Sequence, residues 1–310
     1  MSSATAELPS LRIAFGRGPA AVFDAGAPVL AGDGVDDLFS TAQPAGQTGA
    51  LRLFKFKDWL LGAASVPIAQ GLEGAAQRLY LDIFQATRGL HLARIWNYVP
   101  AINEPGPSGL ENYRTFCQGR SLAFEQEHGA AFKFRVPSAS AVGCHAPALT
   151  VAFAACLAQP QHVENPLQVP AYDYPREYGP RSPSFARATI VREGSAATVF
   201  ISGTAAIRGH ATVAPDGIAE QLACTLENLR EISRACGLGP TLDQGGRSMR
   251  HFKVYVRRAA DQPLVAATLN EKLLGPRDRV SYLQADICRS SLLVEIEATL
   301  VGVVESVRAR

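Results

Sequence analysis

A chain of 310 residues, 47% hydrophobic and 19% charged, can bury one large core or two smaller ones of about 150 residues each. It is too apolar for a disordered protein, and 27 glycines with 20 prolines exclude a coiled coil. Thirty Lys/Arg against 28 Asp/Glu leave a formal charge of +2 with no basic block, so nothing marks a nucleic-acid binder. The longest apolar run, 148–158, is far short of the roughly 20 residues of a membrane helix and reads as a core strand. The opening MSSATAELPS is polar, without the charged and apolar regions of an export signal, so the expected location is the cytoplasm and no membrane partner is expected. Six cysteines without a CxxC read as reduced thiols, and the adjacent Cys144 and His145 could supply two ligands at most, so no metal site is expected.

In chain order, residues 1–48 are crowded with Gly, Pro and Asp and read as irregular. The alternating runs 51–56 and 59–65, split by Lys57-Asp58, predict a hairpin. Helical spacing over 72–88 stops at Gly89, and 92–99 is a strand ended by Pro100. A second helix is expected over 108–128, opened by Ser108 with Glu111 three residues on, the spacing of a capping box. The segment 159–181 is an irregular connector. Strands follow over 185–192 and 198–203, then a helix capped by Asp216 and closed by Gly237. A strand over 251–257, a short helix over 264–274 and strands over 281–288 and 292–303 complete the chain. Both halves thus run strand, strand, helix, strand, helix, strand. This repetition of order favours an α+β fold of two related units over one doubly wound sheet. The units are placed at 49–158 and 185–310, with 159–184 between them.

No G-x-G-x-x-G, Walker A, G-x-S-x-G or H-E-x-x-H motif is present, so dinucleotide, nucleotide, serine-hydrolase and zincin chemistry lose their main support. Charges in apolar company carry what remains. On the helix from Ser108, Leu110, Tyr113, Cys117, Arg120 and Phe124 share a face, and Arg120 is either a snorkelling side chain or a desolvated guanidinium awaiting a carboxylate. The strand 251–257 sets Lys253, Tyr255 and Arg257 against Phe252, Val254 and Val256, which a half-exposed sheet also explains. Cys288 falls with the polar set of its strand. In the last strand, Glu295 and Glu297 share one face about 7 Å apart; either both face water, or apolar walls and like charge raise one pKa toward that of a proton donor at neutral pH. The Tyr, Pro and Arg of 168–187, Tyr174 among them, suit a stiff connector or the lid of a polar pocket.

Several segments together resemble the chorismatase family: Trp96-Asn-Tyr-Val-Pro-Ala-Ile-Asn, Glu111-Asn-Tyr-Arg with Gly119-Arg120, Ser182-Pro-Ser-Phe-Ala-Arg-Ala, Ile201-Ser-Gly-Thr-Ala, and Tyr282-Leu-Gln-Ala-Asp-Ile-Cys-Arg followed by Leu292-Leu-Val-Glu-Ile-Glu. The resemblance runs from about Leu51 onward, and the part after Phe185 also resembles a RidA/YjgF-type domain. It implies two fused RidA/YjgF-like (chorismate-mutase-like) units with helices packed on mixed sheets. It implies further that chorismate is split into pyruvate and a C7 ring acid without metal or cofactor, by a monomer or a homotrimer.

Glu295 becomes by this resemblance the general acid that protonates the enolpyruvyl methylene carbon, and Tyr113 and Arg120 line the site. Chorismate carries two carboxylates, which call for fixed cations, and Arg257 is the second clamp expected from strand geometry. Members that form 3-hydroxybenzoate, some with 4-hydroxybenzoate, resemble this chain in the small Gly203, which keeps the site compact, and in Cys288, whose polarisable thiol is expected as a second catalytic group assisting proton movement at the ring. The alternatives are a hydrolase of the same family yielding a trans-dihydrodiol, and a RidA-like enamine deaminase or small-acid binder.

Overall fold

The computed structural model describes residues 13–15, 23–36, 41–69, 71–242 and 248–304. The polar opening segment 1–12 lies outside them. Up to residue 156 the chain forms β1 Val29–Gly32, β2 Gln43–Thr48, β3 Leu51–Phe56, β4 Trp59–Pro67, α1 Leu72–Ala86, β5 His91–Pro100, α2 Asn112–His128, β6 Ser138–Cys144 and β7 Ala148–Cys156. It continues with β8 Gln161–Val163, β9 Ala188–Glu193, β10 Ala196–Ala205, α3 Ile218–Ala235, β11 Met249–Val256, α4 Gln262–Lys272, β12 Arg279–Gln284 and β13 Val294–Val304.

The sheets are ordered β2-β3-β4-β7-β5-β6 and β8-β9-β10-β13-β11-β12-β1. Five strands and two helices of each follow one plan. All pairings among the five are antiparallel except β5 with β6 and β11 with β12. A parallel pair needs a crossover, which α2 and α4 supply. The α+β doubling expected from element order is therefore present in the topology itself.

The two sheets stack face to face with helices outside. Leu79, Ile83, Phe116 and Phe124 of α1 and α2 pack on Ile95, Val151 and Phe153. Trp59, Trp96, Phe200 and Tyr255 fill the layer between the sheets. Leu222, Leu229, Val265 and Leu269 of α3 and α4 cover Val254 and Ile296. Both faces of β11 are thus buried, so the half-exposed reading is corrected: Lys253 is 2% and Tyr255 0% exposed. At Gly119, α2 presses on α1 so closely that a Cβ would lie 2.2 Å from the Glu73 carbonyl oxygen.

Other expectations shift for local reasons. Helix α2 begins at Asn112 rather than Ser108, and its N-cap residue Glu111 makes no side-chain cap bond. Glu111 is engaged elsewhere, accepting from Asn103 Nδ2 at 3.1 Å and pairing with Arg114 at 3.3 Å; Leu110 consequently lies ahead of the helix rather than on its face. Helix α3 is capped by Gly217, not Asp216. Strand β12 ends at Gln284, because the chain leaves its sheet to reach the other one: Ile287 bridges Val142, and Gly143 N donates to Asp286 O at 2.7 Å. Strand β6, rich in Ser and Ala, carries little hydrophobic alternation and was not anticipated. The segment read as irregular contributes β1 to the second sheet and β2 to the first.

Candidate active site

A cavity opens where α2 and β6 of the first unit meet the connector, β10, β13 and the loop 285–293 of the second. Glu295, on β13, lies opposite Ala205 of β10 and Tyr255 of β11. It lines the cavity yet is only 3% exposed, and its Oε1 has no hydrogen-bond partner among the described residues. The β10–β13 register shifts between Ile201 and Thr204, and this irregularity aims Gly203 at the carboxyl. A Cβ there would lie 2.0 Å from Glu295 Oε1, so the acid occupies space that any other residue would fill.

Glu295 and Glu297 share a strand face but differ in protonation. Burial, and after it the nearby Glu297, push the Glu295 carboxyl up to about 8. Burial also works to raise Glu297, but Lys253 and Arg94 outweigh it and hold that carboxyl below its usual range. Arg94 Nη2 is 2.7 Å from Glu297 Oε2, while Lys253 Nζ at 3.0 Å and Trp96 Nε1 at 2.9 Å reach Oε1. Two carboxyls whose environments drive their proton affinities apart are the mark of an acid with a fixed anion beside it. At neutral pH Glu295 carries a proton and Glu297 does not.

The same lining carries cations. Arg120 is 1% exposed, packs over the Phe116 ring at 4.9 Å, and donates from Nη2 to Cys117 Sγ at 3.6 Å. Arg187 Nη2 donates to the Tyr174 hydroxyl at 2.7 Å. Arg289 stacks 4.0 Å above the Tyr178 ring and donates to His210 O at 2.8 Å. Each of the three line the cavity and keeps one buried nitrogen, Arg120 Nε, Arg187 Nε and Arg289 Nη2, without a partner among the described residues. Unpartnered buried guanidinium nitrogens in a cavity suit an anionic ligand. Tyr113 also lines it, and burial, then Cys117 and Cys288, hold its hydroxyl well above the ordinary phenol range, as a neutral donor.

Cys288 reaches the cavity from the loop rather than from a strand face. Burial and then Glu295 push its thiol up to about 12, so it is a protonated S–H at neutral pH and not a thiolate. Glu295, Cys288, Tyr113, Arg120, Gly203 and Tyr174 are thus brought together around one cavity.

Arg257 is not brought there. Its guanidinium donates to Leu292 O at 2.7 Å, Asn103 Oδ1 at 3.0 Å and Arg289 O at 3.0 Å, and pairs with Asp286. These bonds lash down the loop that carries Cys288 and Arg289 and leave no clamp for a substrate. The correction is physical: the alternation that set Arg257 beside Lys253 ends with the strand at Val256. The cations missed in the sequence, Arg187 and Arg289, lie in quoted segments, one closing the Tyr/Pro/Arg-dense connector and the other following Cys288. Arg94 and Lys253 had a signal of their own, a cation inside a strand that is otherwise largely apolar.

The family model for the N-terminal part of FkbO/Hyg5-like chorismatases matches residues 37–155. The chain is 36% identical over 254 residues to a 3-hydroxybenzoate synthase of Streptomyces hygroscopicus, covering 78% of this chain and 74% of the relative. It is 37% identical over 252 residues to a chorismatase of Streptomyces rapamycinicus, covering 78% and 75%. A chorismatase crystal structure superposes with a TM-score of 0.78 at 30% identity, covering 96% of this chain and 95% of that one.

Proposed function

The chain belongs to the chorismatase family, and from that premise we propose that it converts chorismate to 3-hydroxybenzoate and pyruvate. The observation that carries the proposal is Glu295: a buried carboxyl, partnerless at Oε1 among the described residues and protonated at neutral pH, lining a cavity together with the guanidinium groups of Arg120, Arg187 and Arg289. Glu295 protonates the methylene carbon of the enolpyruvyl ether. The resulting oxocarbenium weakens the bond between ring C3 and the ether oxygen, and the C4 hydroxyl oxygen displaces it from within the ring as its proton returns to the Glu295 carboxylate. The arene-oxide-like product opens and aromatises, and the departing group leaves as pyruvate. Atoms balance without water.

Arg120, Arg187 and Arg289 hold the two substrate carboxylates, while Tyr113 and Tyr174 present hydroxyls to the ring. Cys288, as a neutral thiol, lines the ring pocket and excludes the water that would otherwise attack. The named 3-hydroxybenzoate synthase among the relatives supports the aromatic outcome. Incubating purified protein with chorismate alone tests this: pyruvate and 3-hydroxybenzoate should appear in equal amounts. A dihydrodiol in place of the aromatic acid would assign the hydrolytic branch, and an unconsumed substrate would refute the proposal.

A further inference from the structure

Between the two sheets runs a row of buried charges beside Glu295; the row also meets the cavity lining where Arg94 Nη2 donates to Ser140 Oγ at 2.9 Å. Asp36 Oδ2 is 2.6 Å from Lys253 Nζ, Lys253 is 3.0 Å from Glu297 Oε1, and Arg94 Nη2 is 2.7 Å from Glu297 Oε2. Each of the four side chains is 8% exposed or less. They come from a two-residue strand at Val35–Asp36 and from β11, β13 and β5; Lys253 and Glu297 face each other across the β11–β13 ladder, and the stacking of the other sheet brings Arg94 to them. Glu297 also accepts from Trp96 Nε1 at 2.9 Å. His251, 3.9 Å from Asp36, is lowered by burial and stays neutral at pH 7.

We propose that Asp36, Lys253, Glu297 and Arg94 form a charge-balanced positioning network whose fixed anion, Glu297, keeps Glu295 in its proton-bearing form. These two cations and two carboxylates balance one another without Glu295. An ionised Glu295 would add a third anion to two cations, about 7 Å from Glu297 along the same strand face and inside a low-dielectric layer. The other groups around Glu295 do not replace the missing cation. Arg187 favours the charged form of Glu295, but it is the weakest of the named influences on that carboxyl, behind burial, Glu297 and Arg94. Tyr255, Cys288 and Tyr113 are all raised above their ordinary ranges and neutral. Arg120 and Arg289 line the same cavity, where the substrate's own carboxylates engage them. None of the four network residues lines that cavity, so they act through Glu295 and not on substrate.

The inference rests on Glu295 as the acid of the proposed reaction, and its test separates the two. Infrared difference spectra of each chain against its own Glu295→Gln derivative read the protonated carboxyl of Glu295 without any turnover. The unsubstituted chain should show that band at pH 7. Glu297→Gln removes the anion beside Glu295, so the titration of the band should move downward by roughly 1–3 pH units, weakening the band at pH 7 and restoring it on acidification. Its kcat on chorismate at pH 7 should fall with the protonated fraction, about twofold for a one-unit shift and about tenfold for two units, and recover as the pH is lowered, with KM little changed. Arg94→Met removes a cation and should move the titration the opposite way, upward. Opposite shifts are not produced by a merely loosened core. A Glu297→Gln titration coincident with that of the unsubstituted chain overturns the inference, as does an unsubstituted chain whose Glu295 is ionised at pH 7. Absent turnover with the band shifting as stated would instead defeat the functional proposal and leave the network standing.

Discussion

Glu295→Gln should stabilise the fold while abolishing turnover, and the size of the gain follows from the proton. The carboxyl has an ordinary value of 4.5 and is pushed up to about 8 in the folded chain, burial being the main cause. Below pH 4.5 it is protonated in both folded and unfolded chains and costs nothing. Between the two values the unfolded chain gives up the proton and the folded chain keeps it, so stability falls as pH rises; above the folded value the loss is complete. At about 1.4 kcal/mol per pH unit, the penalty is about 3 kcal/mol at pH 7 and about 5 kcal/mol above pH 8. Glutamine has nearly the same shape and never ionises, so the variant escapes the penalty. Urea unfolding of both proteins, followed by fluorescence of Trp59 and Trp96, measures the gap at pH 5, 6, 7 and 8. The Gln variant should be nearly level with the parent at pH 5 and ahead by about 3 kcal/mol at pH 7. A gap independent of pH, or a variant that loses ground as pH rises, would mean that the carboxyl is ionised in the fold, and the acid assignment would fail with it.

The same proton governs rate: kcat should decline as pH rises through about 8, because the acid form of Glu295 is depleted, and a profile still rising there would contradict its role. Gly203→Ala inserts a Cβ 2.0 Å from Glu295 Oε1 and should cost roughly 100-fold in kcat by displacing the donor, while unfolding midpoints show the fold retained; full activity would deny the contact. Arg120→Met keeps the packing on Phe116 but removes the guanidinium, and KM for chorismate should rise about 10- to 100-fold; an unchanged KM would free Arg120 from carboxylate binding. Cys288→Ala opens space for water at the ring, so product analysis should find the dihydrodiol at the expense of 3-hydroxybenzoate, or stalled turnover; an unaltered product ratio would remove Cys288 from the mechanism.

Much of the fold was legible because it is written in local periodicity. The hairpin of β3 and β4, the helices α1 and α3 and the strand β13 each carry a hydrophobic repeat that only one secondary structure satisfies, and the shared order of the halves exposed the doubling. What escaped had no such repeat. Strand β6 is built of small residues, and β1 and β2 take their places at sheet edges by backbone pairing, which imposes little on side chains. The end of β12 at Gln284 was invisible as well, since the residues beyond it keep alternating while their backbone bonds cross to the other sheet.

For the site, sequence alone determined the cast: an arginine on an apolar helix face, two glutamates in an apolar strand, a glycine and a cysteine at matching places, and family segments that tie them to one substrate. It could not decide between members of that cast that look alike. Glu295 and Glu297 occupy equivalent places in the alternation, and they are told apart only by Arg94 and Lys253, which approach Glu297 from other strands. Arg257, Arg187 and Arg289 are equally cationic on paper; the tertiary fold spends the first on holding a loop and leaves the other two, among the described residues, with open nitrogens at the cavity. The reason is physical: periodicity reports which face a residue occupies, whereas protonation and hydrogen-bond vacancy depend on fields and partners a few ångströms away in space, contributed by residues as many as 203 positions distant in the chain.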